Sequence, residues 1–572
     1  MLSFAVFDEN GPAADWPLRH AFLTGPDDAP VAGEIRFEDG YVRCEKRGGE
    51  AAGLCVQFPV GASPISPDGL PGGLLSLQTC LLPQRESPYL LSLELARHRL
   101  MLAINKLEDW ALFDLPPDDP VMQAFDEARQ AFTAAVVAQG IGVTGAGATL
   151  RYSLEADRLA RRALALAVDA SERIAFKQAM FQHARRASGE LAAAAAAFKP
   201  PANALTEHET VETRNTLIGS VGVILPREPQ VGCAVPVEQF TPALQRLAQS
   251  AGEFIRLPMR WVDMEPTEGR YAFAATDRWI EWAVRSAKMP VVAGPIVDFR
   301  PQCVPEWLYI WEHDYETLRE LVYEHVKHIV TRYRRTVGAW TVVSGLHNAA
   351  GFTLTIEQAL DLTRICAMLV RKLQPGATVQ VEIDHPWGDA CAGNPRAVPP
   401  ALYAEMVNQA GINPDVLALR IEAGAPEVGR TARDMMALSA MLDRYAVFER
   451  PIAISALAAP SAPPTAGELA AAGVDDPGFW RAPWTPEAQA RWLAAVAGIA
   501  ASKPYVHSIC WADLLDRPPT HPHDGLATAD GTPKPALLRQ GEVRAALREK
   551  RSPLTLLRPM PPAAVHPAPV PR

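Results

Sequence analysis

Three carboxylates close apolar runs in the second half of this 572-residue chain. Asp298 follows Val291-Val-Ala-Gly-Pro-Ile-Val297, Asp384 follows Val379-Gln-Val-Glu-Ile383, and Glu422 follows Leu417-Ala-Leu-Arg-Ile421. Two carboxyl groups brought together can do general acid–base work, one giving a proton and the other taking one. The bland reading of Asp298 and Asp384 is that they bind nearby backbone amides, as Asp does in turns. For Glu422 it is an ion pair with Arg420, Arg256 or Arg260. His521-Pro-His-Asp524 lies in a Pro-rich loop and reads as surface sooner than as a metal site. The chain has no C-x-x-C, no H-E-x-x-H and no Gly-rich phosphate loop, so zinc-protease and nucleotide-binding readings lack support. No nucleophile elbow marks a Ser-His-Asp triad. Neither a cofactor nor a metal is expected.

The elements that would position these groups alternate regularly. Short apolar runs fall near 230–236, 254–260, 290–298, 338–344, 377–384, 416–422, 451–457 and 506–512. Helical spacing lies between them. In 316–335, Leu318, Leu321, Val322, His325 and Ile329 share one face. The stretch 355–374 opens with Thr355 as an N-cap and Gln358 three residues on. Eight strand–helix alternations in about 320 residues predict an α/β fold, a (β/α)8 TIM barrel, better than an open sheet. Sites in such barrels lie at the C-terminal strand ends. Asp298, Gly345, Asp384, Glu422, Ala456 and Asp513 should therefore gather near one mouth.

Two of those strands carry a further signal. Residues 337–348 read Val-Gly-Ala-Trp-Thr-Val-Val-Ser-Gly-Leu-His-Asn, and 451–458 read Pro-Ile-Ala-Ile-Ser-Ala-Leu-Ala. Trp261-Val-Asp-Met-Glu-Pro-Thr-Glu-Gly-Arg-Tyr-Ala-Phe273 precedes Asp277, and Pro305-Glu-Trp307 follows Val291-Val-Ala-Gly294. His325-Val-Lys-His-Ile329 and Arg332-Tyr333, Ile509-Cys-Trp-Ala512, and Gly525-Leu526 through Lys534-Pro535 complete the series. In this order the pieces resemble glycoside hydrolase family 10, the endo-β-1,4-xylanases, over roughly residues 230–550. The resemblance implies a TIM barrel and hydrolysis of O-glycosyl bonds in β-linked xylan.

The departures matter more. The family reads W-D-V-V-N-E and I-T-E-L-D on those two strands, and their Glu residues are the general acid/base and the nucleophile. Here the two places fall on Gly345 and Ala456. Retaining hydrolysis needs two carboxyl groups about 5–5.5 Å apart, and Gly and Ala offer neither proton nor charge. Replacement acids would have to come from Glu422, Asp384 or Asp298. The family's E-N-x-M-K-W maps onto Arg256-Leu-Pro-Met-Arg-Trp261, and the His after Gly294 becomes Pro295. Its sixth-strand Q-x-H becomes Arg420-Ile-Glu422, and the Asn before the acid/base becomes Ser344.

Binding could outlast cleavage. Trp261, Trp307, Trp340, Trp387 and Trp511 fall in or just after strands, and at least three should be core filler. Trp511 matches the family's site Trp and is the best sugar contact. Trp261, Arg260, Trp387 and His385 complete the expected ligand set, the last two in the loop His385-Pro-Trp-Gly-Asp389.

A formal net charge of −10 argues against nucleic acid or an anionic membrane as partner. The N-terminus lacks a signal-peptide pattern. Eight widely spaced cysteines suit free thiols in a reducing cytoplasm. Residues 1–115 read as a β-rich, sandwich-like domain, with short strands at Gly33–Phe37, Tyr41–Cys44, Gly53–Phe58, Leu74–Thr79 and Leu90–Leu95. It could be carbohydrate-binding or a scaffold on the barrel. Residues 116–200 read as a helical hairpin with arms at 119–138 and 152–198, the second with Leu159, Leu166, Ile174 and Phe181 every seven or eight residues. That seam could pack on the barrel or make a homo-oligomer. The barrel spans 225–550, and 551–572 is a Pro-rich tail. The expected function is a degenerate, non-hydrolytic barrel binding a β-linked glycan or a protein partner. The alternatives are an active xylanase-like glycosidase with non-standard carboxylates and a structural or assembly scaffold.

Overall fold

The computed structural model describes residues 1–66, 69–144, 147–191, 218–219, 223–224, 228–348, 350–394, 396–518 and 521–557. Most of the Pro-rich tail, 558–572, lies outside them. Eight parallel strands close into a barrel: β1 (Gln230–Ala234), β2 (Phe254–Leu257), β3 (Val291–Ala293, continued by Val297–Asp298), β4 (Ala339–Ser344), β5 (Thr378–Ile383), β6 (Val416–Glu422), β7 (Ile452–Ala458) and β8 (Val506–Trp511). Each pairs with its successor, and β8 returns to β1 with Gln230 opposite Ser508 and Cys233 opposite Trp511. All eight fall where the apolar runs predict strands, because strands covered by helices read as nearly continuous hydrophobic runs. The helix Ile356–Leu373 begins with the expected capping box: Thr355 Oγ1 accepts from the Gln358 amide at 3.3 Å, and the Gln358 side chain accepts from the Thr355 amide at 2.8 Å.

The N-terminal region holds two small sheets. One orders Gly33–Glu38, Tyr41–Lys46, Leu2–Ala5 and Tyr89–Leu90; the other orders Phe479–Trp480, Pro71–Gln78, Gly53–Ala62, Phe22–Thr24 and Pro30–Val31. Trp16 bridges them, 6.3 Å from Phe37 in the first and 6.4 Å from Phe58 in the second. The second sheet is not built by the N-terminal region alone. Its edge strand Phe479–Trp480 comes from the segment between β7 and β8, and pairs antiparallel with Gly73 and Leu74. Gly73 has φ +120°, and a Cβ there would stand 2.2 Å from the Phe479 carbonyl oxygen. Only glycine accepts both conditions.

Residues Leu90–Leu95 are not a strand throughout. Tyr89–Leu90 pairs briefly, and the helix Leu91–Asp109 follows. The leucines of Leu90-Leu-Ser-Leu-Glu-Leu imitate alternation, but Leu91, Leu95, Leu100, Ala103 and Leu107 are all buried at helical spacing. Two more helices follow, Pro120–Val137 and Leu154–Ala187. The second spans about 50 Å. Its Leu166 and Ile174 are buried against neighbouring elements of the same chain, whereas Phe181 is exposed.

This long helix carries charges into the core. Glu172 is buried and accepts from Trp480 Nε1 at 2.7 Å, from the Met435 amide at 3.0 Å and from Arg481. Next to it Arg99 grips Asp434 with two bonds of 3.0 and 2.6 Å. Asp434 also caps the barrel helix Met435–Ala446 through the amides of Met436 and Ala437. Replacing Glu172 by Ala would take from Arg481 one of its two carboxylate partners, leaving Asp169 at 3.3 Å, and from the Trp480 indole its acceptor, in a dry site, at a cost of about 3–5 kcal/mol. Urea unfolding of Glu172→Ala should show a loss of that size. A change under about 1 kcal/mol would mean the pair is not what fastens helix to barrel.

Candidate functional site at the barrel mouth

Inward positions on a strand recur every second residue. On β5 and just beyond it, Gln380, Glu382 and Asp384 alternate with buried Val379, Val381 and Ile383; on β6, Arg420 and Glu422 bracket Ile421. Polar groups therefore converge at the C-terminal ends of β4–β6, and all are buried. Four arginines meet them. Arg256 of β2 donates to Glu382 and, at 2.8 Å, to the Ser455 carbonyl. Ser344 Oγ donates to the second Glu382 oxygen at 2.7 Å. Arg300 closes on Asp298 at 2.5–3.0 Å. Arg430, from the loop after β6, donates to Asp384 at 2.7 Å and lies 3.1 Å from Glu422. Arg420 reaches Glu422 at 2.8 Å, with Glu382 and Asp384 at 3.7 and 3.8 Å.

These pairings fix protonation. Burial alone would raise the Glu422 pKa, but Arg420 and Arg430 outweigh it and bring it down to about 2. Asp384 is held well below the ordinary Asp range, its burial overridden by Arg430 first and then by His385, Arg300 and Arg420. Glu382 is lowered by Arg256 and Arg420 against the same burial. Asp513, beyond β8, moves the other way: burial raises it despite Arg517 at 2.6 Å.

Gly345 and Ala456 stand at the ends of β4 and within β7. Gly345 has φ +60°, and a Cβ on it would lie 3.1 Å from Asp384 Cβ. The void beside it, lined by Asp298, Arg300, Ser344 and Phe352 among others, measures about 10 Å³. Ligand pockets run to about 300–1,000 Å³.

The remaining expected residues are dispersed. Trp511 is 1% exposed, donates to the Asp524 carbonyl at 2.8 Å and meets Trp492 edge-on. Trp261, also 1% exposed, stacks on His325 at 4.0 Å and donates to Glu265. Trp340 is fully buried, and Trp307 lies edge-on to Trp261. Arg260 pairs with Asp263 at 2.6 Å, away from the network. His385, with φ +48°, sits 3.5 Å from Asp384 and 4.0 Å from Glu427. Trp387 is half-buried under Arg433. Glu382 and Arg430 escaped the sequence reading. The alternation of Gln380, Glu382 and Asp384 within an apolar strand marks the first, but nothing in the Gly- and Ala-rich loop marks Arg430.

Residues 230–358, which include β1 to β4 of the closed barrel, match the family model described as Glycosyl hydrolase family 10. Solved structures similar to this chain include native xylanase 10B from Thermotoga maritima, at 16% identity over 57% of this chain and 97% of that one, with a TM-score of 0.41. The GH10 xylanase of Thermobacillus composti matches at 14% identity over 55% and 97%, TM-score 0.41. Xylanase 10C from Cellvibrio japonicus matches at 15% over 57% and 72%, TM-score 0.45. Among the described residues no helix is long and apolar enough to cross a membrane.

A carboxylate whose folded pKa lies below its unfolded value adds stability above that unfolded value and loses it as pH falls through the folded one. For Glu422 the window runs from an ordinary Glu value of about 4.3 down to about 2. Urea midpoints measured from pH 7 to pH 2 should therefore fall more steeply for wild type than for Glu422→Gln below pH 5. The same substitution should cost about 3 kcal/mol at pH 7, from a shift of roughly two units at 1.36 kcal/mol each. Parallel curves would contradict the pairing.

Proposed function

We propose that this chain is a non-hydrolytic, family 10-like barrel that acts by binding a glycan or a protein partner. One observation carries the reading: every carboxylate gathered at the mouth is matched by an arginine, while Gly345 and Ala456 bring none. Glycoside cleavage begins with a carboxylic acid protonating the leaving oxygen. Glu422, Asp384 and Glu382 are all held ionised, so none has a proton to give near neutral pH. The void of about 10 Å³ beside Gly345 leaves no seat for a sugar ring there. Recognition then falls to surfaces outside the strand ends.

The second reading, an active glycosidase with relocated carboxylates, draws on one contrast. Asp513 is raised and Glu422 lowered, and a divergence of this kind separates acid from base in many sites. Against it, Arg517 holds Asp513 at 2.6 Å.

The test is reducing-end release from xylo- and cello-oligosaccharides by wild type, Glu422→Gln, Asp513→Asn and the double variant Gly345→Glu/Ala456→Glu. No release above buffer is expected from any of them. The double variant should also melt lower, because Glu at 345 inherits φ +60° and the contact with Asp384. Wild-type turnover removed by Glu422→Gln or Asp513→Asn would sink the reading in favour of relocated catalysis.

A further inference from the structure

The half-buried Trp387 points attention away from the mouth to the seam between barrel and N-terminal region. There a cleft of about 580 Å³ opens between the helix Leu91–Asp109 and the barrel helix Met435–Ala446. Its size falls in the range of small-molecule pockets. Two alanines keep it open: Ala437 and Ala440 line it, are only half-buried, and stand three residues apart on one helical face. Larger residues there would fill the seam.

The walls combine aromatic rings with matched charges. Trp387 stands on one side with Arg433 at 5.1 Å from its ring, and Trp110 on the other with Lys106 and Lys503 at 5.6 and 4.8 Å. The cations of the cleft are already partnered: Arg444 with Asp28, Lys106 with Asp109 and Asp443, Arg433 with Asp389, and Arg99 with Asp434. The cleft therefore offers no excess of either sign to capture a phosphate or an ammonium group. It offers many fixed donors and acceptors beside flat apolar rings. Two groups there lack hydrogen-bond partners among the described residues. The Trp387 Nε1 donor is buried and unmet, a condition that buried polar atoms seldom keep. His98 lines the cleft and is held neutral, its pKa brought down to about 3 by burial and then by Arg99. A neutral imidazole gives one donor and one acceptor.

Neutral, hydroxyl-dense and flat on its C–H faces describes a carbohydrate. We propose that this cleft binds a neutral sugar of one to a few residues, stacked on Trp387 or Trp110, with hydroxyls bonded to His98 and the Asp443–Lys106 pair. The site rests on the glycan-binding half of the reading above. It is independent of the barrel mouth.

Titration calorimetry on the full chain, with xylotriose, cellotriose and maltotriose as probes, tests it. At least one should bind saturably and quench or shift tryptophan fluorescence. Ala440→Trp, which fills the cleft, and Trp387→Ala should each weaken that binding at least tenfold, and Trp387→Phe should diminish the fluorescence change. Should Ala440→Trp fail to fold, as its melting curve would reveal, the two Trp387 variants decide alone. Binding untouched by these substitutions overturns the cleft as the site while leaving glycan binding in place. Binding of none of the three overturns the cleft proposal and the glycan half of the reading together. The hydrolysis assay judges catalytic silence separately.

Discussion

Four arginines packed against four carboxylates at the strand ends determine what this barrel can do. Arg256, Arg300, Arg420 and Arg430 neutralise Glu382, Asp298, Asp384 and Glu422 in a site from which water is nearly absent. Moving one such ion out of water is costly, and the attraction of a single partner does not always offset it. The set holds because Arg420 and Arg430 each face more than one carboxylate, so the network is shared rather than a row of separate salt bridges. It also bears on the small residue at 345. With Gly345 in the left-handed region and its missing Cβ facing Asp384, the acid beyond β5 can move in against the end of β4. A long acidic side chain at that point would compete with Asp384 for both the space and the arginines. The small residue at 345 and the charged network beside it are thus two sides of one arrangement.

The same device recurs outside the barrel, where the N-terminal region docks. Asp434 caps one barrel helix and binds Arg99 of another element; Glu172 accepts simultaneously from a backbone amide, an indole and Arg481. Apolar contact would hold these layers together with little preference for angle or register. Directional, charge-assisted bonds to buried partners fix both. The strand Phe479–Trp480, lent by the segment between β7 and β8, completes the N-terminal sheet from the other direction. Two regions of different texture in the sequence therefore share one framework.

How much of this could be read from residues alone follows from the range of the interactions. The eight strands were legible because each is short, apolar and separated from the next by a helical period, and the Thr355 cap because it depends on four consecutive residues. Leu90–Leu95 misled because three alternating leucines satisfy a two-residue period before the helical one becomes visible further on. The network itself was half legible. Glu422 beside Arg420 suggests a pair, but Arg430 enters from a loop and Arg256 crosses from β2 to β5, and no local pattern records which strands will face one another across a closed barrel. The burial of Trp511 and Trp261 is of the same kind, since a ring's partners are chosen by tertiary packing.

The barrel also has an outside, and there the long helix Leu154–Ala187 packs against the barrel helices. The helix Leu91–Asp109 lies along Met435–Ala446 without closing on it fully. Arg99, midway along the first helix, and Asp434, at the start of the second, pin the two together, while Ala437 and Ala440 leave the neighbouring seam open. The loop after β5, His385-Pro-Trp-Gly-Asp389, sends Trp387 into that seam. At the strand ends the ionic groups face one another directly, with Arg420 and Arg430 at 2.7–3.8 Å from their carboxylates. They can leave the seam accessible because there they pair across its walls and floor and the centre stays empty. The same kind of interaction, a buried or half-buried ion pair, thus fills the space between strand ends and borders the space between helices.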